Sequence, residues 1–248
     1  MIIRHVSDNH GSFPESTHAF DFTVMSGDIF PNFVDFHPSD KKREATNQEH
    51  WLKRNAQNFV DWAQGKPVFY CYGNHDFLNE SSLARETSKL GGNFVNINNQ
   101  YGGYQDIRMY GFPYIPAIVG RWNYECDDSM QLNHVSNMLA EFNSNGYPDI
   151  LVCHAPAHGV LDKSPTWDAY HPQRGNHFGL QRLSNALCYT FEQLPRLVLH
   201  GHIHEAHGFE VKDFGHADSS KPVLFSNAAT TTHYIDYSSL VTPIGSVE

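Results

Sequence analysis

A short polar segment, Gly73, Asn74, His75 and Asp76, directly follows the apolar run of residues 67–72. The apolar run is typical of a buried strand, and glycine lets the chain turn sharply where that strand ends. The turn would place an amide, an imidazole and a carboxylate side by side. An imidazole can bind a metal or transfer a proton, and a carboxylate can hold that imidazole in one tautomer. Because Asn, His and Asp are also common in ordinary turns, the segment gains meaning only if similar residues occur elsewhere.

Four other strand-like segments also end in polar residues that can bind a metal ion. These residues are Asp8 and His10, Asp28, His154, and His202 with His204. In an open α/β sheet, ligands gather beyond the carboxyl ends of the strands. An Asp-x-His or His-x-His pair also places both side chains on the same side of an extended segment. Any one of these residues alone could cap a turn or pack in the core, but five such strand ends predict one shared metal site.

The predicted ligand set suits a pair of borderline divalent cations. It contains two carboxylates, one amide and four imidazoles, and one carboxylate would bridge the two ions. Two ions roughly 3.5–4 Å apart form a clamp for phosphoryl chemistry. A bridging hydroxide would attack phosphorus while both ions absorb charge on the non-bridging oxygens. We expect His75, beside one ligand and backed by Asp76, to give a proton to the leaving oxygen as general acid.

The order of these segments along residues 8–204 resembles the calcineurin-like metallophosphoesterase superfamily. The resemblance implies an α/β fold, a four-layer αββα sandwich of mixed β-sheets flanked by helices. It also implies that Asp28 bridges the two ions and that His75 donates the proton. The implied ligands are Asp8, His10, Asp28 and His204 for the first ion, and Asp28, Asn74, His154 and His202 for the second. The two divalent ions could be manganese, iron, zinc or nickel, and manganese is expected to serve in vitro.

Three further segments are similar to the animal metallophosphoesterase-domain-containing proteins and their bacterial relatives, a branch that resembles cyclic-nucleotide phosphodiesterases. They are residues 111–116 with Trp122, residues 154–162 and residues 200–205. The chain departs from the protein-phosphatase branch, because Asp28 is followed by residues 29–33 without the Asp-Arg-Gly run that holds phosphate there. It also departs from the branch that it resembles, since residues 155–157 stand where a Gly-Pro-Pro-like run is usual. The second departure concerns substrate placement more than the metals.

The resemblance implies a metal-dependent phosphoesterase that hydrolyses phosphodiester bonds, with cyclic nucleotides among the candidate substrates. The alternatives are a phosphomonoesterase acting on nucleotides or phosphoproteins, and a non-catalytic metal-binding scaffold of the same fold. The complete ligand set and the intact His75 favour an enzyme. Aromatic residues in the predicted loops could stack on a nucleobase, and two arginines could contact a phosphate. These residues are Phe30, Trp122, Tyr124, Trp167, Tyr170 and His177, with Arg121 and Arg174.

The composition argues against some partners and locations. The formal net charge is −10 with neutral histidines, so we expect no extended nucleic-acid surface and no basic membrane-binding face. The expected partner is a small phosphoester, and in particular a nucleotide. No apolar run approaches the roughly 20 residues of a membrane span, and no signal peptide precedes the first strand, so a cytoplasmic location is expected. Cys71 and Cys153 lie in apolar runs and are interpreted as small core residues.

The elements that must position these residues alternate between strands and helices, which predicts a mixed α/β fold. Strands are expected at residues 1–7, 23–25, 67–72, 107–112, 149–153, 195–199 and 223–225. Helices are expected at residues 47–64, 82–90, 129–142 and 180–194. Residues 113–128 and 155–177 are predicted to form long loops, and the last dozen residues a surface tail. Without a repeat or a linker, residues 1–248 are expected to form a single domain.

Overall fold

The computed structural model describes residues 1–33, 40–165, 176–214 and 221–239, and the backbone of residues 243–247. Its helices are α1 (Lys41–Ala63), α2 (Ser82–Ser88), α3 (Asp128–Asn145) and α4 (Gln181–Tyr189). The strands are β1 (Ile2–Val6), β2 (Phe22–Ser26), β3 (Val68–Cys71), β4 (Phe94–Asn96), β5 (Tyr101–Tyr104), β6 (Ile107–Phe112), β7 (Ile115–Pro116), β8 (Glu125–Cys126), β9 (Ile150–Cys153), β10 (Leu197–His200), β11 (Gly208–Asp213), β12 (Pro222–Asn227), β13 (Thr232–Asp236) and β14 (Pro243–Val247).

These strands form two mixed six-stranded sheets and one short pair. The first sheet has the order β14, β13, β1, β2, β3, β4, and the second has the order β11, β12, β10, β9, β6, β5. Strands β1 to β4 run parallel to one another, as do β6, β9, β10 and β12. The remaining strands add antiparallel edges to both sheets. The strands of each parallel block therefore all end at the same edge of their sheet.

Alternating side chains of the central strands build three apolar clusters, which stack the molecule into four layers. In β9, Ile150 and Val152 belong to a cluster that also contains residues of the first sheet, such as Phe22 and Val24. The intervening Leu151 packs in a different cluster, with α3 and α4. On the outer side of the first sheet, a third cluster contains side chains of α1 and α2. Because both faces of the sheets are covered, strands such as β3 and β9 are continuous apolar runs, and the αββα sandwich is confirmed.

The expected elements are present, with some different ends. Helix α1 begins at Lys41, before the expected residue 47, because Asp40 accepts hydrogen bonds from the backbone N–H groups of Lys42 and Arg43. Its polar first turns carry no apolar periodicity that the sequence could show. Helix α4 ends at Tyr189, before the expected residue 194.

Two expectations about irregular regions need correction. The final residues do not form a surface tail, because β14 pairs with β13 and extends the first sheet. The region 113–128 is not wholly a loop, because β7 and β8 pair within it. The partners of such short strands lie outside the local sequence, which explains why periodicity missed them. The expectation of a single domain stays a prediction.

Two other sequence features have direct structural counterparts. Cys71 and Cys153 are buried free thiols, as expected for core residues. No helix within the described residues is long and apolar enough to cross a membrane.

Candidate metal centre

The carboxyl ends of the central strands of both sheets bring the predicted metal ligands together. The Nε2 atom of His204 lies 3.1 Å from Oδ1 of Asp8. On the neighbouring strand end, Asp28 has its Oδ1 atom 3.4 Å from Nε2 of His154 and its Oδ2 atom 3.9 Å from Nε2 of His10. Residues from both sheets therefore face a common point.

The two aspartates connect these contacts into one cluster. Asp8 forms one group with His10 and His204 and another with Asp28 and His154, and the ligand atoms within each group lie within 4.8 Å of one another. The two remaining predicted ligands, Asn74 and His202, lie next to His154. Oδ1 of Asn74 lies 3.0 Å from Nε2 of His154, and the ring of His202 lies 5.0 Å from the same ring. The structure thus brings together all seven predicted ligand residues.

The backbone at these strand ends has unusual local geometry. Asp8, His10, Asp28 and His202 all have positive φ angles, between 44° and 70°, which non-glycine residues adopt only at a cost. Gly27, directly before Asp28, has a φ of +110°, and a Cβ atom there would collide with the ring of His154. The close approach of the strand ends therefore requires a residue without a side chain at this point.

The electrostatics of the cluster favour bound cations. Asp8 and Asp28 are 4% and 2% exposed, and within the described ranges no lysine or arginine nitrogen lies within 4.0 Å of either carboxylate. Burial raises the pKa of Asp28, but the charges of His154 and His75 outweigh burial and hold that pKa well below its usual range. Because buried carboxylates need a compensating positive charge, this donor set fits divalent metal ions.

One of the predicted ligand histidines is already oriented by a backbone hydrogen bond. Nδ1 of His154 donates to the carbonyl oxygen of Ser26 at 2.9 Å. This contact turns Nε2 toward Asp28 and Asn74. A metal-binding histidine typically fixes its tautomer in this way.

His75 lies beside the cluster and is oriented by Asn32. Its Nδ1 atom lies 2.7 Å from Oδ1 of Asn32, and its Nε2 atom lies 3.9 Å from Oδ2 of Asp28. An amide oxygen accepts a hydrogen bond, so Nδ1 carries the proton when the ring is neutral, and Nε2 faces the cluster. Trp122 covers the ring, with 4.2 Å between ring centroids. Burial lowers the pKa of His75.

The expectation that Asp76 holds the ring of His75 is wrong. Oδ1 of Asp76 accepts hydrogen bonds from the backbone N–H groups of Ile29 and Phe30, and Oδ2 accepts one from Gly73. Burial and the charge of Asp28 raise the pKa of Asp76 to about 7. Asp76 therefore ties the turn of residues 73–76 to the segment after β2, while Asn32 holds His75. The sequence could have pointed to Asn32 through its position. It lies in residues 29–33, which follow Asp28 and lack the Asp-Arg-Gly run.

We expect Asp76→Ala to destabilise the fold rather than to disturb proton transfer selectively. The change leaves three buried N–H groups without their acceptor, and each unsatisfied group costs about 1–3 kcal/mol. Denaturant unfolding in the presence of a chelator should show a loss of at least about 2 kcal/mol. The exposed Asp61→Ala serves as the control. If the variant kept wild-type stability and lost rate only on esters of poor leaving groups, Asp76 would instead be the residue that orients His75.

The aromatic residues proposed to face a substrate have varied surroundings. Phe30 is fully buried in the core, so its ring is not a free stacking surface. The hydroxyl of Tyr124 is bonded to Glu80 and Asn98. His177 is bonded to Asp162, and Arg121 is exposed. Of those that the structure describes, only Trp122 contacts the centre, through His75. Trp167, Tyr170 and Arg174 lie outside the described residues.

Comparison with known proteins agrees with this geometry. Residues 1–206 match the family described as calcineurin-like phosphoesterase. None of the curated proteins matches this sequence. One solved crystal structure is similar over 96% of this chain and 95% of its own, with a TM-score of 0.61 and 13% sequence identity, and at that identity the likeness shows the fold alone. The family match spans all the strand ends that build the cluster, and the chain belongs to the calcineurin-like phosphoesterases, which are metal-dependent hydrolases.

Proposed function

We propose that this phosphoesterase hydrolyses the phosphodiester bond of a small nucleotide with two divalent ions. The observation that carries the proposal is the set of seven donors at the joined strand ends, with His75 beside them. Bound ions would supply an activated water as nucleophile and neutralise negative charge on the phosphate. The first ion is proposed to bind Asp8, His10, Asp28 and His204, and the second Asp28, Asn74, His154 and His202.

The two buried aspartates give the centre its negative charge. Asp28 touches histidines from both groups of donors, which supports its role as the shared ligand. Its Oδ1 atom also accepts a hydrogen bond from the backbone N–H of His75 at 2.8 Å. The proposed bridge and the proposed acid are therefore held in a fixed relation.

His75 is proposed to give the proton to the leaving oxygen. Nε2 is the nitrogen that faces the cluster, and Asn32 on Nδ1 keeps the ring in that orientation. Trp122 packs against the ring and excludes water from one of its faces. In the imidazolium form Nε2 also carries a proton. That proton can pass to an oxygen that leaves phosphorus at the cluster, and the ring returns to its neutral form with the remaining proton on Nδ1.

The preference for a diester of a small nucleotide rests on three observations. Residues 29–33 lack the Asp-Arg-Gly run, Trp122 places an aromatic ring next to His75, and the net charge of −10 disfavours an anionic macromolecule. We propose manganese as the ion for assays in vitro. A cytoplasmic location is also proposed, and the four free cysteines support it.

A comparison of substrates tests the proposed specificity. With manganese present, kcat/KM for a cyclic nucleotide should exceed that for a phosphopeptide by roughly tenfold or more, a difference of about 1.4 kcal/mol in transition-state binding. A nucleoside monophosphate in the same series separates a diesterase from a monoesterase. Faster turnover of the phosphopeptide, or of the monophosphate, would overturn the proposed substrate class but not the metal centre.

A further inference from the structure

A second group of metal-binding side chains lies outside the ligand set proposed above. One nitrogen or oxygen atom from each of His158, Asp162 and His177 lies within 4.8 Å of the other two. His158 and Asp162 belong to the chain that leaves β9, and His177 belongs to the chain that returns to α4. The group therefore spans the outgoing and returning parts of a single connection.

Backbone contacts already hold these two parts together. Ala157 pairs with Leu180, and Lys163 pairs with His177, in isolated bridges. The backbone N–H of His158 donates to the carbonyl oxygen of Leu180 at 3.2 Å. A Cβ atom at position 179 would come within 2.7 Å of the backbone nitrogen of His158, so the parts touch where Gly179 stands. The three side chains thus project from a preformed base.

Asp162 is a buried carboxylate with one side already fixed. It is 1% exposed, and its Oδ2 atom accepts hydrogen bonds from the backbone N–H groups of Gly159 at 2.9 Å and Gly179 at 3.1 Å. Its Oδ1 atom faces Nδ1 of His177 at 2.6 Å. In the described part of the chain, His177 is the only ion-pair partner of Asp162 within 4.0 Å. Since a buried carboxylate is costly without compensation, the Oδ1 side can accept a cation.

His158 supplies the third donor. Its ring lies 5.1 Å from the ring of His177 and makes no hydrogen bond with any residue that the structure describes. Toward the part of the chain that the structure describes, its two nitrogens are therefore uncommitted. A rotamer change of this ring would break no side-chain hydrogen bond with the described residues.

We propose that His158, Asp162 and His177 form a third cation site that binds zinc and holds the two parts of the connection together. Two imidazole nitrogens and one carboxylate oxygen are donors that zinc accepts, with water in the fourth position. Ligands about 2.0–2.1 Å from a tetrahedral zinc stand roughly 3.3 Å apart. The 2.6 Å contact between Asp162 and His177 must then open by only about 0.7 Å.

Zinc content of the full chain tests this site. After reconstitution with zinc and dialysis, elemental analysis should give about three ions per wild-type chain and about two for His158→Ala. His177→Asn should also give about two, because its amide nitrogen replaces Nδ1 as the donor to Asp162 but is not a zinc ligand. The exposed His50→Ala should keep the wild-type content.

Thermal stability in a variant that carries Asp28→Asn separates this site from the catalytic centre. In a chain carrying Asp28→Asn, zinc should still raise the Tm, and adding His158→Ala should remove that increase. Equal zinc content in wild type, His158→Ala and His177→Asn would overturn the third site whether or not the centre binds two ions. Loss of one ion in both histidine variants would uphold the third site even if the proposed reaction were wrong.

Discussion

Asp28→Asn should depress metal binding at both positions of the centre and lower the phosphoesterase rate by at least about 10³-fold. Metal ions contribute several kcal/mol to transition-state charge stabilisation, and each 1.4 kcal/mol corresponds to a factor of about ten. Asparagine keeps an oxygen that can accept the 2.8 Å hydrogen bond from the N–H of His75. The fold should therefore survive while the bridging charge is lost.

The measurement is manganese content per chain together with kcat on a diester. Asp61→Asn is the matched control, since the only hydrogen bond of this exposed carboxylate to a described residue comes from the side chain of Gln57 on the same helix. A single lost ion with the other retained would show that Asp28 serves one position rather than two. Retention of both ions and full activity would reject the bridging role.

His75→Asn should leave metal content unchanged and reduce the rate by roughly 10²–10⁴-fold on an ester with a poor leaving group. An alkoxide needs a proton as it departs, whereas a nitrophenolate is stable as an anion. The loss should therefore be much smaller on a nitrophenyl ester. This dependence on the leaving group distinguishes proton donation from a metal-ligand role, in which both esters would suffer together with metal binding.

Asn32 provides a companion test of the same proton transfer. Asn32→Ala removes the acceptor of the 2.7 Å hydrogen bond to Nδ1 of His75, and a partner that orients a functional histidine contributes roughly 10–100-fold. The same dependence on the leaving group should appear in weaker form, and Asn32→Asp should rescue it. Equal losses on both esters in His75→Asn, with metal retained, would instead make His75 a stabiliser of transition-state charge.

Much of the fold could be predicted from local patterns. Strands such as β3 and β9 are continuous apolar runs, and α3 carries its core residues Val135, Met138 and Phe142 at helical spacing. Local sequence patterns do not predict the elements that lack such a run or spacing. β14 has its partner β13 only because the end of the chain returns to the first sheet, and the first turns of α1 are polar with a cap at Asp40.

The sequence by itself determined which donors are present and that each follows a strand, because a polar residue directly after an apolar run marks the end of that strand. Parallel strands bring such ends to one edge, so the sequence alone was enough to group Asp8 with Asp28, which follow neighbouring strands of the first sheet. His154 follows β9 of the second sheet, and only the packing of the two sheets brings it to these aspartates. Only the tertiary structure decided that Asn32, and not Asp76, holds His75, because two separate segments must meet for that hydrogen bond. The group of His158, Asp162 and His177 likewise depends on how one connection folds back, and spacing along the chain does not encode that return.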